Sequence, residues 1–181
     1  MRSSRVAKRY ARALLGLSND HGQLEVWSAE LERLARVIET PEIDAAFASP
    51  EVSITSKMRA LATITEKLEL SFPVRSFTLV VARHGRIPEL PAMAEAYARM
   101  LDELMRRARA TLIFATQPSD SDTSRLVAEL ERIARKRIIP TIKVDQTLLG
   151  GAIVELEGKT YDGSLISQLT EAQRLLAGSI N

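Results

Sequence analysis

The sequence predicts an α+β protein of two domains, a six-helix N-terminal bundle followed by a small α/β domain of order β-α-β-β-α. Three observations carry this reading. From residue 4 to about 108, apolar residues recur at steps of three and four, the period of an amphipathic helix. Near residue 109 the pattern changes to short runs of strand formers. Proline, glycine and capping residues stand at the joints between these segments.

The first helix carries Val6, Tyr10, Ala13, Leu14 and Leu17, and Ser18-Asn19-Asp20 supplies turn and N-cap chemistry after it. Leu24, Trp27, Leu31, Leu34 and Ile38 make the second, which Thr40-Pro41 ends. Ile43 to Ala48 is a brief third, closed by Pro50. Ile54, Met58, Leu61, Ile64 and Leu68 make a fourth, capped by Ser53 or Thr55. Ser71 and Pro73 start a fifth, with Val74, Phe77, Leu79, Val80 and Val81. Arg83, His84 and Gly85 suit its C-terminal end, where cations meet the helix dipole and glycine takes a left-handed turn. Pro88 and Pro91 open a sixth, carrying Leu90, Ala94, Tyr97, Leu101, Leu104 and Ala108 on one face.

Thr111 to Thr116 then reads as a strand. The polar loop Gln117 to Asp122 caps a helix with Leu126, Leu130 and Ile133, which runs into the basic stretch Arg135-Lys136-Arg137. Ile142 to Asp145 and Ala152 to Glu157 read as strands, with Gly150-Gly151 a turn or bulge between them. Gly158-Lys159 suits a tight hairpin turn. Asp162-Gly163-Ser164 caps a last helix with Leu165, Leu169, Ala172 and Leu176. The domains are therefore expected at 1–106 and 107–181.

Composition excludes several kinds of chemistry. The chain of 181 residues has no cysteine, which removes thiol nucleophiles, disulfides and cysteine-based metal sites. Its two histidines, His21 and His84, lie far apart and have no partner at metal-helix spacing. The formal net charge is only +2, too small to mark a nucleic-acid module. No apolar run reaches the roughly 18 residues of a membrane helix. The acid-free start, with Arg2, Arg5, Lys8, Arg9 and Arg12, has the composition of a transit peptide, but its helical spacing favours a first helix of the folded protein.

No catalytic constellation emerges. Gly151 to Thr160 superficially matches a phosphate loop, but six residues separate Gly151 from Gly158 where the motif needs four, and Ile153 stands where its first glycine belongs. Acidic pairs such as Glu30/Glu32 and Glu155/Glu157 are expected by chance in a chain with 23 acids. The chemistry points to a non-enzyme without metal or cofactor. What remains is interaction surface. Ala7 and Ala13 beside Tyr10 and Leu14 leave a shallow groove on the first helix for a partner helix. Arg5, Arg9 and Arg12 on one face of that helix offer the alternative of a basic nucleic-acid-binding helical protein, and Arg135-Lys136-Arg137 suits an acidic partner.

Three segments share a resemblance. Ala7-Lys8-Arg9-Tyr10-Ala11-Arg12-Ala13-Leu14, then Arg83-His84-Gly85-Arg86-Ile87-Pro88-Glu89-Leu90 with Tyr97, then Val144-Asp145, Leu149-Gly150-Gly151, Asp162-Gly163-Ser164 and Leu169 stand in matching order and spacing. Together they resemble the delta subunit family of the F-type ATP synthase, counterpart of the mitochondrial oligomycin-sensitivity-conferring protein. The resemblance covers the whole chain. It implies a non-catalytic stator subunit, one copy per complex, that keeps the catalytic hexamer from turning with the rotor during proton-driven ATP synthesis. It implies that the N-terminal domain binds the alpha-subunit N-terminal helix between the first and fifth helices, through Tyr10, Ala13, Leu14, Val80 and Arg86. It also implies that the C-terminal domain holds the peripheral-stalk b subunits. No cofactor, metal or nucleic acid is implied, and the expected place is peripheral, on the cytoplasmic face of the bacterial plasma membrane rather than in an organelle. One departure is Ile166, where the family usually has a basic residue.

Overall fold

A computed structural model describes residues 5–146, 148, 152–156 and 158–162. By contacts the chain divides into two compact units, Met1–Leu101 and Asp102–Asn181. That division falls before the 106/107 boundary expected from the pattern change; Asp102, on the last turn of the sixth helix, bonds to Arg107 and Arg109 of the first strand.

The N-terminal unit is helical. It contains α1 (Arg5–Asp20), α2 (Leu24–Ile38), α3 (Pro41–Ala48), α4 (Ile54–Lys67), α5 (Phe72–Arg83), a 3-10 turn (Ile87–Glu89) and the greater part of α6 (Leu90–Leu104). Leu14, Trp27, Leu31, Leu34, Ile38, Leu61, Val74, Val81, Leu90, Tyr97 and Leu101 fill one core. Each such side chain contributes roughly 1.5–3 kcal/mol on burial.

The helix ends follow local chemistry. Ser53 caps α4 by accepting from the Ser56 N–H at 3.1 Å. Gly22 and Gly85 take φ near +65°, and the N–H of the residue after each glycine returns to a carbonyl five back: Gln23 to Ser18 and Arg86 to Val81. His84 Nδ1 donates to the Val80 carbonyl at 2.7 Å. One expectation is corrected at the end of α1. Ser18, Asn19 and Asp20 are helical, the turn comes at His21-Gly22, and the residue preceding α2 is Gln23. The Ser18 side chain is buried and donates to the Leu15 carbonyl, so it does not cap the next helix.

The C-terminal unit holds β1 (Arg107–Phe114), α7 (Asp120–Ala134), β2 (Arg137–Val144), β3 (Ala152–Leu156) and β4 (Lys159–Asp162). The sheet order is β2-β1-β3-β4. β1 and β2 run parallel, with Arg107 opposite Arg137, while β1–β3 and β3–β4 are antiparallel. Ala108, Ala110, Leu112, Leu130, Ile138, Val154 and Leu156 form its core.

Four details depart from the sequence reading. β1 begins at Arg107 rather than Thr111, so Ala108, expected on the sixth helix, lies in a strand opposite Ile138. β4 is a fourth strand that the order β-α-β-β-α omits, and Lys159 is already in it, opposite Leu156, so the turn lies one residue earlier, with Gly158 at φ +78°. α7 stops at Ala134, with Arg135 left-handed at φ +52°, so the basic run is a turn and a strand start rather than a helix end. β2 begins at Arg137 despite Pro140, which is tolerated because β2 is an edge strand among the described residues, where a missing N–H costs least. The expected last helix, with Gly150-Gly151 and Ile166, lies outside the described residues.

Candidate interaction surface

The helical spacing of α1 supports two neighbouring apolar rows, and the structure separates them. Ala7, Ala11, Leu14 and Ser18 are buried. These side chains are mostly small, so α1 seats close to the core. The bulkier row, Val6, Tyr10, Ala13 and Leu17, lies one residue round the helix and is half-buried to exposed; Leu17 is 54 % exposed. α5 shows the matching feature. Val74, Thr78, Val81 and Ala82 face inward, whereas Phe77 is half-buried and Val80 is 45 % exposed.

Tyr10 and Phe77 bring α1 and α5 together. Their ring centroids are 6.2 Å apart in an edge-to-face arrangement, the geometry aromatic quadrupoles favour. Arg9 stands over the Tyr10 ring, 5.8 Å from its centroid. The apolar rows thus flank a ring pair: Ala13 and Leu17 continue from Tyr10, and Val80 continues from Phe77.

Of the residues singled out from the sequence, Tyr10, Ala13 and Val80 stand on these rows. Leu14 does not: it is 2 % exposed and supports α1 from inside. Ala7 is likewise fully buried and lines no groove. Arg86 sits in the turn after α5, half-buried, where its Nη1 donates to Glu89 Oε1 at 3.1 Å. The sequence reading set Phe77 on the fifth helix without assigning it to the groove. The signal available was its spacing from Val80 on the same helix. Arg5, Arg9 and Arg12 are exposed on α1.

The other motifs resolve into structure. Ala152–Leu156 is a strand entering a hairpin, not a strand running into a helix, so the phosphate-loop likeness has no structural counterpart. Glu30 is buried and accepts from the Ser71 N–H and hydroxyl, while Glu32 pairs with Arg36 at 3.9 Å. Among the described residues there is no group of three or more His, Asp or Glu that could hold a metal ion. No helix among them is long and apolar enough to cross a membrane.

Known proteins agree along nearly the whole chain. The family model "ATP synthase delta (OSCP) subunit" matches residues 6–176. The ATP synthase subunit delta of Citrifermentans bemidjiense is 31 % identical over 177 residues, covering 97 % of this chain and 98 % of that protein. The protein of the same name from Geobacter metallireducens is 33 % identical over 177 residues, with the same coverage. A chain in the cryo-electron microscopy structure of the Toxoplasma gondii mitochondrial ATP synthase hexamer shares the fold, with a TM-score of 0.66 at 17 % identity, covering 96 % of this chain and 98 % of that one. The chain therefore belongs to the ATP synthase delta (OSCP) subunit family, a family of non-catalytic subunits.

Proposed function

We propose that this chain is the stator adaptor of an F-type ATP synthase. In this reading the N-terminal unit holds the N-terminal helix of an alpha subunit along the α1–α5 rows, and the C-terminal unit holds the b subunits of the peripheral stalk. The observation that carries the first half is the outward apolar row on α1. Tyr10, Ala13 and Leu17 remain at the surface although the core beside them is complete, and Val80 faces outward on the neighbouring helix. An amphipathic helix laid against such rows buries apolar area on both sides.

The mechanism is mechanical. The catalytic hexamer experiences torque from the rotor, and the adaptor transmits that load to the stalk without making or breaking bonds. It therefore needs two durable interfaces rather than a reactive site. An interface of about 1,200–2,000 Å² with an apolar centre can reach nanomolar affinity, about 12 kcal/mol. Its place is peripheral, on the cytoplasmic face of a bacterial plasma membrane, with one copy in each complex.

The test is titration of the full chain with a synthetic peptide of the alpha-subunit N-terminus, alongside co-purification with the catalytic hexamer and with the b subunits. Saturable binding of the peptide and recovery of both partners is the expected result. Failure to bind the peptide removes the first half, and recovery of the hexamer without b removes the second.

A further inference from the structure

A second surface lies in the C-terminal unit, at the end of the sheet where two parallel strands begin. Arg106 precedes β1, and Arg137 opens β2 opposite Arg107. The Arg137 N–H donates to the Arg106 carbonyl at 3.1 Å, and the Arg135 N–H to the Glu131 carbonyl at 2.8 Å. These bonds gather Arg106, Glu131, Arg135, Lys136 and Arg137 around an open cavity of about 440 Å³. Among the described residues the cleft's one acid is engaged, since Glu131 Oε1 accepts from the Ile138 N–H at 3.0 Å. Arg106, Arg135 and Arg137 are exposed and have no ion-pair partner among the described residues. Arg106 and Arg135 also occupy left-handed backbone, φ +49° and +52°, where glycine would be at ease.

We propose that this cleft takes an acidic segment of another polypeptide, its carboxylates seated on Arg106, Arg135 and Arg137. The chemistry favours that occupant over others. α7 meets the cleft with its C-terminal end, which carries a partial negative charge and presents carbonyls rather than N–H groups. A compact phosphate thus lacks the backbone cradle it finds at a helix N-terminus. Among the described residues no aromatic lines the cleft, so bases find nothing there to stack on. Guanidinium forks spread over an open surface match carboxylates two oxygens at a time. The inference stands independently of the stator reading, because it rests on the charge of this cleft alone.

The test uses the full chain, a fluorescein-labelled hexaglutamate peptide, and the variant combining Arg106→Gly, Arg135→Gly and Arg137→Gln. Glycine relieves the backbone at the first two positions, so the variant should keep its melting temperature. Wild type should bind at about 50 mM salt and more weakly at about 300 mM, where screening shortens the reach of each charge. The variant should bind at least about tenfold more weakly. Equal binding by the folded variant overturns the proposal and leaves these arginines as solvated turn residues. So does absence of hexaglutamate binding to wild type, and so does tighter binding of a hexauridylate RNA that the same variant loses. If the combined variant unfolds, Arg137→Gln alone decides: a loss of about threefold or more upholds the cleft, and unchanged affinity refutes it.

Discussion

The Tyr97 hydroxyl donates to Ser18 Oγ at 2.6 Å, tying α6 to the last turn of α1 across 79 residues of sequence. The same hydroxyl oxygen lies 2.9 Å from the Leu24 carbonyl oxygen at the start of α2, so its proton is shared between the two acceptors. Ser18 can accept because its own proton is given to Leu15. Tyr97→Phe leaves Ser18 Oγ and the Leu24 carbonyl short of a donor in a buried place, at a cost of about 1–2 kcal/mol. Urea unfolding at neutral pH measures this.

The same tyrosine sets a pH dependence. Burial pushes the Tyr97 hydroxyl above its ordinary value of 10.0, and the hydrogen bond with Ser18 offsets part of that. The folded state therefore prefers the neutral phenol. This contribution is fully present below pH 10 and is lost as pH rises through the raised value, because the unfolded chain ionises first. The gap in stability between wild type and Tyr97→Phe should narrow above pH 10. A gap that widens there would contradict the burial argument.

Glu30 on α2 reaches the start of α5, where Oε2 accepts from the Ser71 N–H at 3.0 Å and hydroxyl at 2.7 Å. Ser71 makes no side-chain cap of its own, so Glu30 supplies the acceptor and a negative charge at a helix N-terminus. Glu30→Ala should destabilise by about 1–3 kcal/mol. It should also speed hydrogen exchange at Ser71 more than at Ser56, whose donor is capped locally.

Asp102 accepts from Arg107 Nε at Oδ1 and from Arg109 Nε at Oδ2, both at 2.7 Å. The Asp102 and Arg107 side chains are largely buried, whereas Arg109 is half exposed. Removing the carboxylate takes from the largely buried Arg107 its 2.7 Å charge-assisted bond, so Asp102→Ala should cost about 1.5–3 kcal/mol. Arg109→Ala should cost less than about 1 kcal/mol. Thermal melts of the two variants test the order.

Ala13 and Val80 separate binding from folding. Both are exposed, so Ala13→Asp and Val80→Asp should change stability by no more than about 0.5 kcal/mol. Against the alpha-subunit peptide each places an unpaired carboxylate in an apolar contact, and affinity should fall about a hundredfold or more. Arg5→Ala should alter it little. Folded Asp variants that bind like wild type would remove the α1–α5 rows from the proposal.

The helices were legible because their information is local. Steps of three and four, Pro73 and Pro88 at helix starts, and Gly85 at a helix end each act through neighbours within a turn or two. The passage from helix to strand near residue 109 was legible for the same reason. Tertiary structure decided what depends on distant partners. Periodicity places Tyr10, Ala13, Leu14 and Leu17 on one broad face, and only the packing of α1 shows that Leu14 turns inward while Ala13 stays out. Ser18 looked like a terminator until Tyr97 bonded it within the helix. Glu30 looked like one of many surface acids until Ser71 came beside it. Pro140 lies inside β2, and the strand holds because no strand pairs on its outer side among the described residues. The sequence by itself determined where the backbone coils and turns, since those choices are settled by hydrogen bonds a few residues apart. Which face of each element is buried, and which polar group meets which, was decided by long-range packing, because a buried donor or acceptor must find its partner wherever the fold brings one.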